Sequence, residues 1–254
     1  MERVLVTGGA SPLGGEIAAA MDDCHVRLLD EAWGDTTVSG PRVEAREGSL
    51  VDEAAVREAV RDVEVVIHTG DPPLDLPGIG RGREERLLDL ATRGTHKLYN
   101  AAIEAGVRRF VYGSTLEIFD AYPETVYVSE FHRPLPTTEP ASLARYLGEI
   151  TSREFARDYS VSVTTLRLGR MVYEEDVAGR DRDLMWLDWR DAAATFRAAS
   201  TLDRSSEMSW CGLTFSGRYA LFHVCAPAEN PRFVGRAHTL HEPVHGFGWK
   251  GERT

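Results

Sequence analysis

A short apolar segment near the start of the chain runs directly into a glycine-rich turn. Residues 4–7 are followed by four glycines within residues 8–15 and then by a stretch rich in Ile and Ala. Glycine lacks a Cβ, so the backbone of such a turn can approach a phosphate, and the free N–H groups of the next helix point toward the anion. This order is typical of dinucleotide-binding α/β folds. It predicts a phosphate-binding turn that contains Gly8, Ser11, Pro12, Leu13 and Gly14.

The second apolar run ends in two acidic residues. Residues 26–29 are followed by Asp30 and Glu31, about 20 residues beyond the glycine turn, where a carboxylate can accept hydrogen bonds from the adenosine ribose. Two acids at this point would repel a 2′-phosphate, so the sequence favours NAD as the cofactor over NADP. The alternative is that Asp30 only forms the turn that ends the strand.

Apolar segments of strand length alternate with helical patterns over the first two-thirds of the chain. Such alternation indicates a parallel sheet that helices cover on both faces. We therefore predict an α/β fold, with a Rossmann-type doubly wound parallel sheet that binds NAD in residues 1–168 and a small substrate-binding lobe in residues 169–254. The expected strands are residues 4–7, 26–29, 43–46, 63–68, 110–112 and 161–168, and the expected helices are residues 13–21, 52–60, 83–105, 142–159 and 189–200.

Two proline-containing stretches interrupt this alternation. Residues 71–82 are dense in Pro and Gly, and residues 121–140 contain four prolines. Both are expected to be loops, and the first follows a strand end, where open α/β sheets bind ligands. Loops as long as the second are usually functional.

Charge and composition exclude several classes of partner. A net charge of −11 argues against nucleic acid. No apolar run reaches the length of about 18 residues that a membrane helix needs, and the N-terminus lacks the apolar core of a signal peptide. We therefore expect a cytoplasmic protein with a small-molecule substrate and no membrane partner.

The sequence does not predict a metal site or a disulfide framework. The three cysteines are scattered and lack the spacing of a zinc site. Three histidines and a glutamate lie close together near the C-terminus, but Pro243 interrupts any helix that could present them as ligands. These residues are His238, His241, Glu242 and His245.

Several ordered motifs match those of one known family. Its members open with TGxxGxxG, end the fourth strand with His-Leu-Ala-Ala, end the fifth with Val-Tyr-x-Ser-Ser/Thr, and carry YxxxK on a later helix. Here the opening is matched by Thr7, Gly8 and Gly14, the end of the fourth strand by residues 68–71, and the end of the fifth by residues 111–115. The tyrosine of the later helix is matched by Tyr146, with Glu154 at the expected offset. Two further family segments are matched by Gly94 with Thr95 and by residues 166–169. Over residues 3–200 the chain thus resembles the extended short-chain dehydrogenase/reductase family, in its NAD-dependent epimerase/dehydratase branch.

The resemblance implies hydride transfer between NAD and a sugar or sugar-like hydroxyl compound. It assigns Tyr146 as the acid/base and Thr115 as the hydroxyl that orients the substrate, and it implies a homodimer through the helices at 83–105 and 142–159. Tyr146 as a core residue and Thr115 as a strand-end cap are the alternatives. The resemblance adds Ser49, Leu50, His68, Thr69 and Gly70 to the cofactor-binding residues and Ser114 to the substrate-binding residues. Independently of it, Arg170 and Arg182 lie near two tryptophans in the sequence, and their planar guanidinium groups could bind a carboxylate or phosphate of the substrate. The alternative is that these arginines pair with nearby aspartates at the surface.

One element of the catalytic motif is missing. Position 150 is Ile, where the motif has the lysine that lowers the pKa of its tyrosine. An unperturbed tyrosine has a pKa near 10, so ionising it at pH 7 costs roughly 4 kcal/mol. Asp71 also places a negative charge near the expected path of the cofactor. Three hypotheses follow: an NAD-dependent oxidoreductase or epimerase, a non-catalytic nucleotide-binding or structural relative, and a lysine-independent dehydration or cyclisation in the same pocket.

Overall fold

Seven parallel strands form the central sheet of this protein. A computed structural model describes residues 1–36, 40–72, 80–205 and 217–248. The strands of the described residues are β1 (Arg3–Thr7), β2 (His25–Asp30), β3 (Val43–Glu47), β4 (Val65–His68), β5 (Arg109–Thr115), β6 (Val128–Ser129), β7 (Ser162–Leu168), β8 (Arg170–Val172), β9 (Trp186–Asp188), β10 (Tyr219–Val224) and β11 (Phe233–Val234). The order across the sheet is β3-β2-β1-β4-β5-β7-β10. The predicted doubly wound parallel sheet is confirmed, and its strand order reverses between β1 and β4.

Helices cover both faces of the sheet, as the alternation predicts. They are α1 (Pro12–Ala20), α2 (Glu53–Ala59), α3 (Arg81–Asp89), α4 (Thr95–Glu104), α5 (Pro140–Asp158) and α6 (Trp189–Ser200). Strand β1 shows how the layers form, because Val4 and Val6 point into the core under α1 and α6, whereas Leu5 points toward α2 and α4. Among the described residues, no helix is both long and apolar enough to cross a bilayer.

The helix predicted at residues 83–105 is interrupted. A π-helical segment, Leu90–Gly94, separates α3 from α4. Within it, the Thr92 hydroxyl donates to the Leu88 carbonyl oxygen at 2.7 Å. Gly94 packs so tightly that a Cβ there would lie 2.9 Å from the Cβ of Leu50. Such π-bulges occur mostly as short insertions and often at functional sites, and Leu90 lines a cavity at the carboxyl ends of β1, β2 and β4.

The central sheet extends beyond residue 168, where the sequence analysis places the end of the Rossmann domain. Strand β10 pairs with β7 in parallel, and α6 packs against α1. Strand β10 is a fully buried run of six residues, and such a short apolar run carries no periodicity that identifies it as a strand. Residues 169–248 also contribute to two short parallel pairs outside the central sheet: β8 pairs with β9, and β11 pairs with β6 of residues 128–129.

The C-terminal segment is anchored to the first turn of α6 by a buried carboxylate. Asp191, which is 2% exposed, accepts hydrogen bonds from His241 Nε2 at 3.1 Å and from the Val244 N–H at 2.9 Å. It also accepts from the N–H of His245 at 2.9 Å and from its Nδ1 at 3.1 Å. These two histidines, considered above as metal ligands, therefore hold the tail in place.

Candidate active site

A cavity lies at the carboxyl ends of β1, β2 and β4, where the strand order reverses. Its empty volume is about 640 Å³, including the open mouth. Ligands of open α/β sheets bind at such a switch point. One wall is apolar and contains Leu29, Leu87 and Leu90. The structure brings together five of the predicted cofactor-binding residues in its lining: Gly8, Asp30, Leu50, His68 and Gly70.

The glycine turn adopts the close packing that a dinucleotide-binding turn requires. Gly8 has φ +72°, a conformation that favours glycine, and a Cβ on Gly14 would lie 2.6 Å from the Gly8 carbonyl oxygen. Ser11 caps α1, because its Oγ accepts from the Gly14 N–H at 3.1 Å. Pro12 and Leu13 begin the helix behind it. Ser11, which replaces a family glycine, thus has a local structural role.

Asp30 lies at the end of β2 as predicted and contacts the turn. It is 5% exposed, and it accepts from the Ala10 N–H at 3.0 Å and the Glu31 N–H at 2.8 Å. Burial raises the pKa of Asp30, and the two backbone donors act in the opposite direction. A carboxylate has about four acceptor sites. Asp30 can therefore accept from a ribose while it holds the turn.

Glu31 is held by a cation that the sequence analysis did not identify. Its carboxylate accepts from the Ser49 hydroxyl and from Arg86 Nη2, and Arg86 Nη2 also donates to Ser49 Oγ at 3.1 Å. The side chains of Glu31 and Arg86 are 17% and 30% exposed. Arg86 is 55 residues from Glu31 in the chain, and no local pattern links the two positions.

His68 is buried between two threonine hydroxyls. Its Nδ1 lies 2.7 Å from Thr7 Oγ1 and its Nε2 lies 2.9 Å from Thr95 Oγ1. Burial lowers the pKa of His68 to about 3, and the charge of Arg145 adds to this effect. The next residue, Thr69, donates its hydroxyl to the Thr7 carbonyl oxygen at 2.9 Å. The uncharged imidazole therefore joins β1, β4 and α4 behind the cavity.

This neutral histidine predicts a loss of stability in acid. The unfolded chain protonates His68 near pH 6.5, whereas the folded state does not until about pH 3. Below pH 6.5 the unfolded state therefore binds one more proton, and the free energy of unfolding falls as the pH falls. His68→Asn removes the group that takes up this proton in the unfolded chain. The substitution should therefore reduce the slope of unfolding free energy against pH by about 1.4 kcal/mol per pH unit between about pH 6 and pH 4.

Urea denaturation across this pH range measures the slope. His25→Asn changes an exposed histidine at the start of β2 and is the matched control. An unchanged slope in His68→Asn would contradict the assignment of a neutral, buried imidazole.

Helix α5 presents Ala141, Ala144 and Arg145 to the cavity. The Tyr112 hydroxyl donates to the Arg145 carbonyl oxygen at 2.9 Å. Gly148 allows this approach, because a Cβ there would lie 2.0 Å from the same hydroxyl. The Arg145 guanidinium forms an ion pair with Asp71 across the cavity.

The structure corrects the register in which α5 was matched to the catalytic motif. Glu154, which the match uses, forms ion pairs with Arg153 and Arg157 at the surface. The buried carboxylate is Glu149, which binds Arg167 of β7 with two hydrogen bonds, at 2.6 and 3.0 Å. A second set of positions on α5 has the same spacings of four and eight residues: Ala141, Arg145 and Glu149. These three residues face the cavity or the sheet. They lie five residues before the set used in the match, which is Tyr146, Ile150 and Glu154.

Tyr146 lies outside the lining of this cavity. It is partly buried and packs against an apolar cluster that includes Leu116, Ile118 and Phe119. Ile150 is also partly buried and does not line the cavity. Tyr146 was assigned either as the acid/base or as a core residue. Its packing in an apolar cluster supports the core residue better than the acid/base.

The remaining predicted residues lie around the end of β5 and in the segment after β7. The Thr115 hydroxyl accepts from the Glu117 N–H at 3.2 Å and caps a 3-10 helix, Leu116–Phe119. Ser114 is fully buried, and its hydroxyl has no partner among the described residues. Arg170 forms an ion pair with Asp183 at 2.8 Å. Direct contact of these three residues with a substrate stays a prediction.

Arg182 differs from Arg170 in having no carboxylate partner among the ion pairs of the described residues. Its guanidinium lies 5.9 Å from the centre of the Trp186 ring and 4.7 Å from that of Phe247. Nη2 donates to the Pro227 carbonyl oxygen at 3.2 Å, whereas the buried Nε and Nη1 have no partner within the described part of the chain. Burial lowers the pKa of Arg182. Arg182 lines a cavity with Trp186 and Phe247 that is separate from the cavity beside the glycine turn.

Comparisons with known proteins agree with this geometry. The family described as "NAD dependent epimerase/dehydratase family" matches residues 4–198. The chain is 29% identical over 224 residues to an NAD-dependent glucose-6-phosphate dehydrogenase of Haloferax volcanii, covering 82% of this chain and 83% of that protein. It is 23% identical over 192 residues to a uronate dehydrogenase of Pseudomonas syringae pv. tomato, covering 74% and 66%.

Solved structures show the same fold. A uronate dehydrogenase from Agrobacterium tumefaciens in complex with NAD superposes with a TM-score of 0.73 at 21% identity, over 94% of this chain and 82% of that chain. A glucuronic acid dehydrogenase from Chromohalobacter salexigens superposes with a TM-score of 0.73 at 20% identity, over the same shares of the two chains.

Proposed function

The chain belongs to the NAD-dependent epimerase/dehydratase family, and on this basis we propose that it is an NAD-binding oxidoreductase or epimerase that acts on a sugar or sugar-like hydroxyl compound. The observation that carries the proposal is one cavity that combines the glycine turn, the Asp30 carboxylate and an apolar wall. NAD, when bound, accepts or returns a hydride. The relatives named above act on glucose 6-phosphate and uronates, which are both anionic sugars.

The described residues fit the adenosine half of the cofactor. Gly8 and Gly14 leave no Cβ in the turn, so the backbone can approach a pyrophosphate. Asp30 would accept from the ribose hydroxyls. Leu50 and Leu87 would cover the adenine ring. On the substrate side, Thr115 is the proposed substrate-orienting hydroxyl, and Tyr146 as the acid/base is the weaker of its two alternatives because its ring packs in an apolar cluster. Arg182, whose Nε and Nη1 have no partner among the described residues, would bind a carboxylate or phosphate of the sugar.

Titration calorimetry with NAD and NADP tests the cofactor assignment directly. We expect NAD to bind and NADP to bind more weakly. Formation of NADH is then followed by its absorbance with glucose 6-phosphate and uronates as substrates. Epimerisation of UDP-glucose returns the hydride and accumulates no NADH, so it is followed by chromatography of the product sugars. If neither NAD nor NADP binds, the proposal is refuted.

A second candidate is a nucleotide-binding relative without tyrosine-assisted proton transfer. It is favoured by the register of α5, because the helix presents Ala141 and Arg145 to the cavity where the motif would have tyrosine and lysine. Binding of NAD without turnover of any substrate in the panel would support this candidate over the first.

Glu31→Gln should shift the cofactor preference toward NADP. The substitution removes a negative charge and releases Arg86, which could then donate to a 2′-phosphate together with Ser49. We expect the ratio of the Kd values for NADP and NAD to fall by about tenfold, which corresponds to about 1.4 kcal/mol. Calorimetric titration measures both values. Glu47→Gln, an exposed carboxyl at the end of β3, should leave the ratio unchanged, and an unchanged ratio in Glu31→Gln would rule out this role.

Two further features belong to the proposal. A homodimer through the helices at 83–105, which span α3 to α4, and at 142–159, which lie in α5, is proposed from the family resemblance, and light scattering measures the mass that tests it. A cytoplasmic location stays a proposal, based on three scattered cysteines that lack the pattern of a disulfide framework in the sequence.

A further inference from the structure

An internal carboxylate lies against the phosphate-binding turn. Asp71 follows β4 and Gly70, and its Oδ2 lies 3.2 Å from Ser11 Oγ, the cap of α1. Its Cβ is 3.5 Å from the point where Gly8 would carry a Cβ. The Asp71 side chain is only 10% exposed. A negative charge therefore lies where the turn is expected to bind phosphate.

Arg145 neutralises this carboxylate. Its guanidinium pairs with Asp71 from the opposite wall, and its side chain is 16% exposed. Among the residues of the described cavity lining, Arg145 is the one charged cation, because the His68 imidazole is neutral at physiological pH. The anions that line the same cavity are Asp30, Glu31 and Asp71, and Glu31 has its own partner in Arg86.

A carboxylate and a pyrophosphate cannot share this turn favourably. Like charges in close proximity inside a partly buried site repel strongly, and the described lining holds a single guanidinium to compensate both anions. Both anions would use the same cation, and both would lie beside Ser11 and Gly8.

We propose that Asp71 is a built-in competitor of the cofactor and that Arg145 changes partner, from the Asp71 carboxylate to the pyrophosphate, when the dinucleotide binds. This inference rests on the proposed binding of NAD. It assigns Arg145 as a cofactor-binding residue and Asp71 as a residue that lowers the affinity of the site.

The exchange differs from a purely structural ion pair in a measurable way. In a structural pair, either single substitution leaves a partly buried charge without its partner, so both substitutions would perturb the site in the same direction. In the exchange, removal of the Asp71 charge frees Arg145 and the turn for phosphate. Removal of the Arg145 charge leaves the turn with a carboxylate alone. The two variants should thus change NAD affinity in opposite directions.

The experiment is titration calorimetry of NAD and of ADP-ribose with the parent, Asp71→Asn and Arg145→Gln. We expect Asp71→Asn to bind both ligands about tenfold more tightly and Arg145→Gln to bind them about tenfold more weakly, within the range usual for such coupling. ADP-ribose lacks the nicotinamide and isolates the effect on the phosphates. Asp62→Asn, an exposed carboxyl at the opposite end of the sheet, is the control. Circular dichroism and thermal melts verify that each variant is folded.

The possible outcomes distinguish a failure of the partner exchange from a failure of the proposed NAD binding. Opposite changes of affinity support the exchange, as does binding that is detected only in Asp71→Asn. Weaker binding in both variants, or equal affinity in all of them, overturns the exchange and leaves the proposed NAD binding intact. Absence of binding in the parent and in every folded variant overturns the proposed function itself.

Discussion

Glu149→Ala is expected to lower the free energy of unfolding by about 3–5 kcal/mol. The side chains of Glu149 and Arg167 are 6% and 4% exposed and form two parallel hydrogen bonds. Removal of the carboxylate leaves a guanidinium buried between α5, the Phe119 ring and His223. The penalty comes mainly from this unpaired charge, because desolvation of a cation without a partner is far more costly than loss of one contact.

Urea denaturation of the two proteins measures the difference. The matched control is Glu154→Ala on the same helix, whose carboxylate pairs with Arg153 and Arg157 near the solvent. That variant should change stability by no more than about 0.5 kcal/mol. Equal effects of the two substitutions would contradict the corrected register of α5.

Ala141→Tyr combined with Arg145→Lys is expected to raise the rate of hydride transfer by about 10²–10⁴-fold, the usual contribution of a positioned acid/base. Positions 141 and 145 both line the cavity and are one helical turn apart. The pair would therefore present a phenol and a compact ammonium on the face toward the cofactor. The ammonium would lower the pKa of the phenol, because a positive charge nearby favours the phenolate.

Single-turnover measurements with NAD and the best substrate of the panel test this result. Tyr146→Phe is the control, since its ring packs in the Leu116–Phe119 cluster, and we expect it to keep most of the parent's activity. Loss of turnover in a folded Tyr146→Phe protein would restore Tyr146 as the acid/base. Melting temperatures must accompany the rates, because Ala141→Tyr adds considerable volume.

The fold could be predicted from local signals. Strand β1, the glycine turn and α1 form one continuous pattern, and Asp30 at the end of β2 is where the pattern requires a carboxylate. Such signals depend only on neighbours in sequence, namely apolar periodicity, glycine in a turn and an acid at a strand end. The strong preference for right-handed crossovers then limits the possible strand orders to a few.

The site could be predicted only in part, since its contacts join distant segments. A spacing of four residues recurs along any helix, and neither register holds both motif residues. Tyr146 is a tyrosine without the lysine at position 150, whereas Arg145 is a cation without the tyrosine at position 141. Burial separates the two registers, through the pairing of Glu149 with Arg167. The correct register could have been found by looking for an acidic residue on the sheet-facing side of α5 that can pair with the arginine of β7.

Strand β10 also has a consequence for how the protein folds. It joins the sheet beside β7, yet 50 residues separate the end of β7 from its first residue. During synthesis, β7 therefore emerges with one edge of unpaired N–H and C=O groups, and such an edge can pair with other chains. Closing a loop of this length is slow relative to local helix formation. We expect a nascent chain that has not reached Tyr219 to be the form most prone to aggregation and most dependent on chaperones.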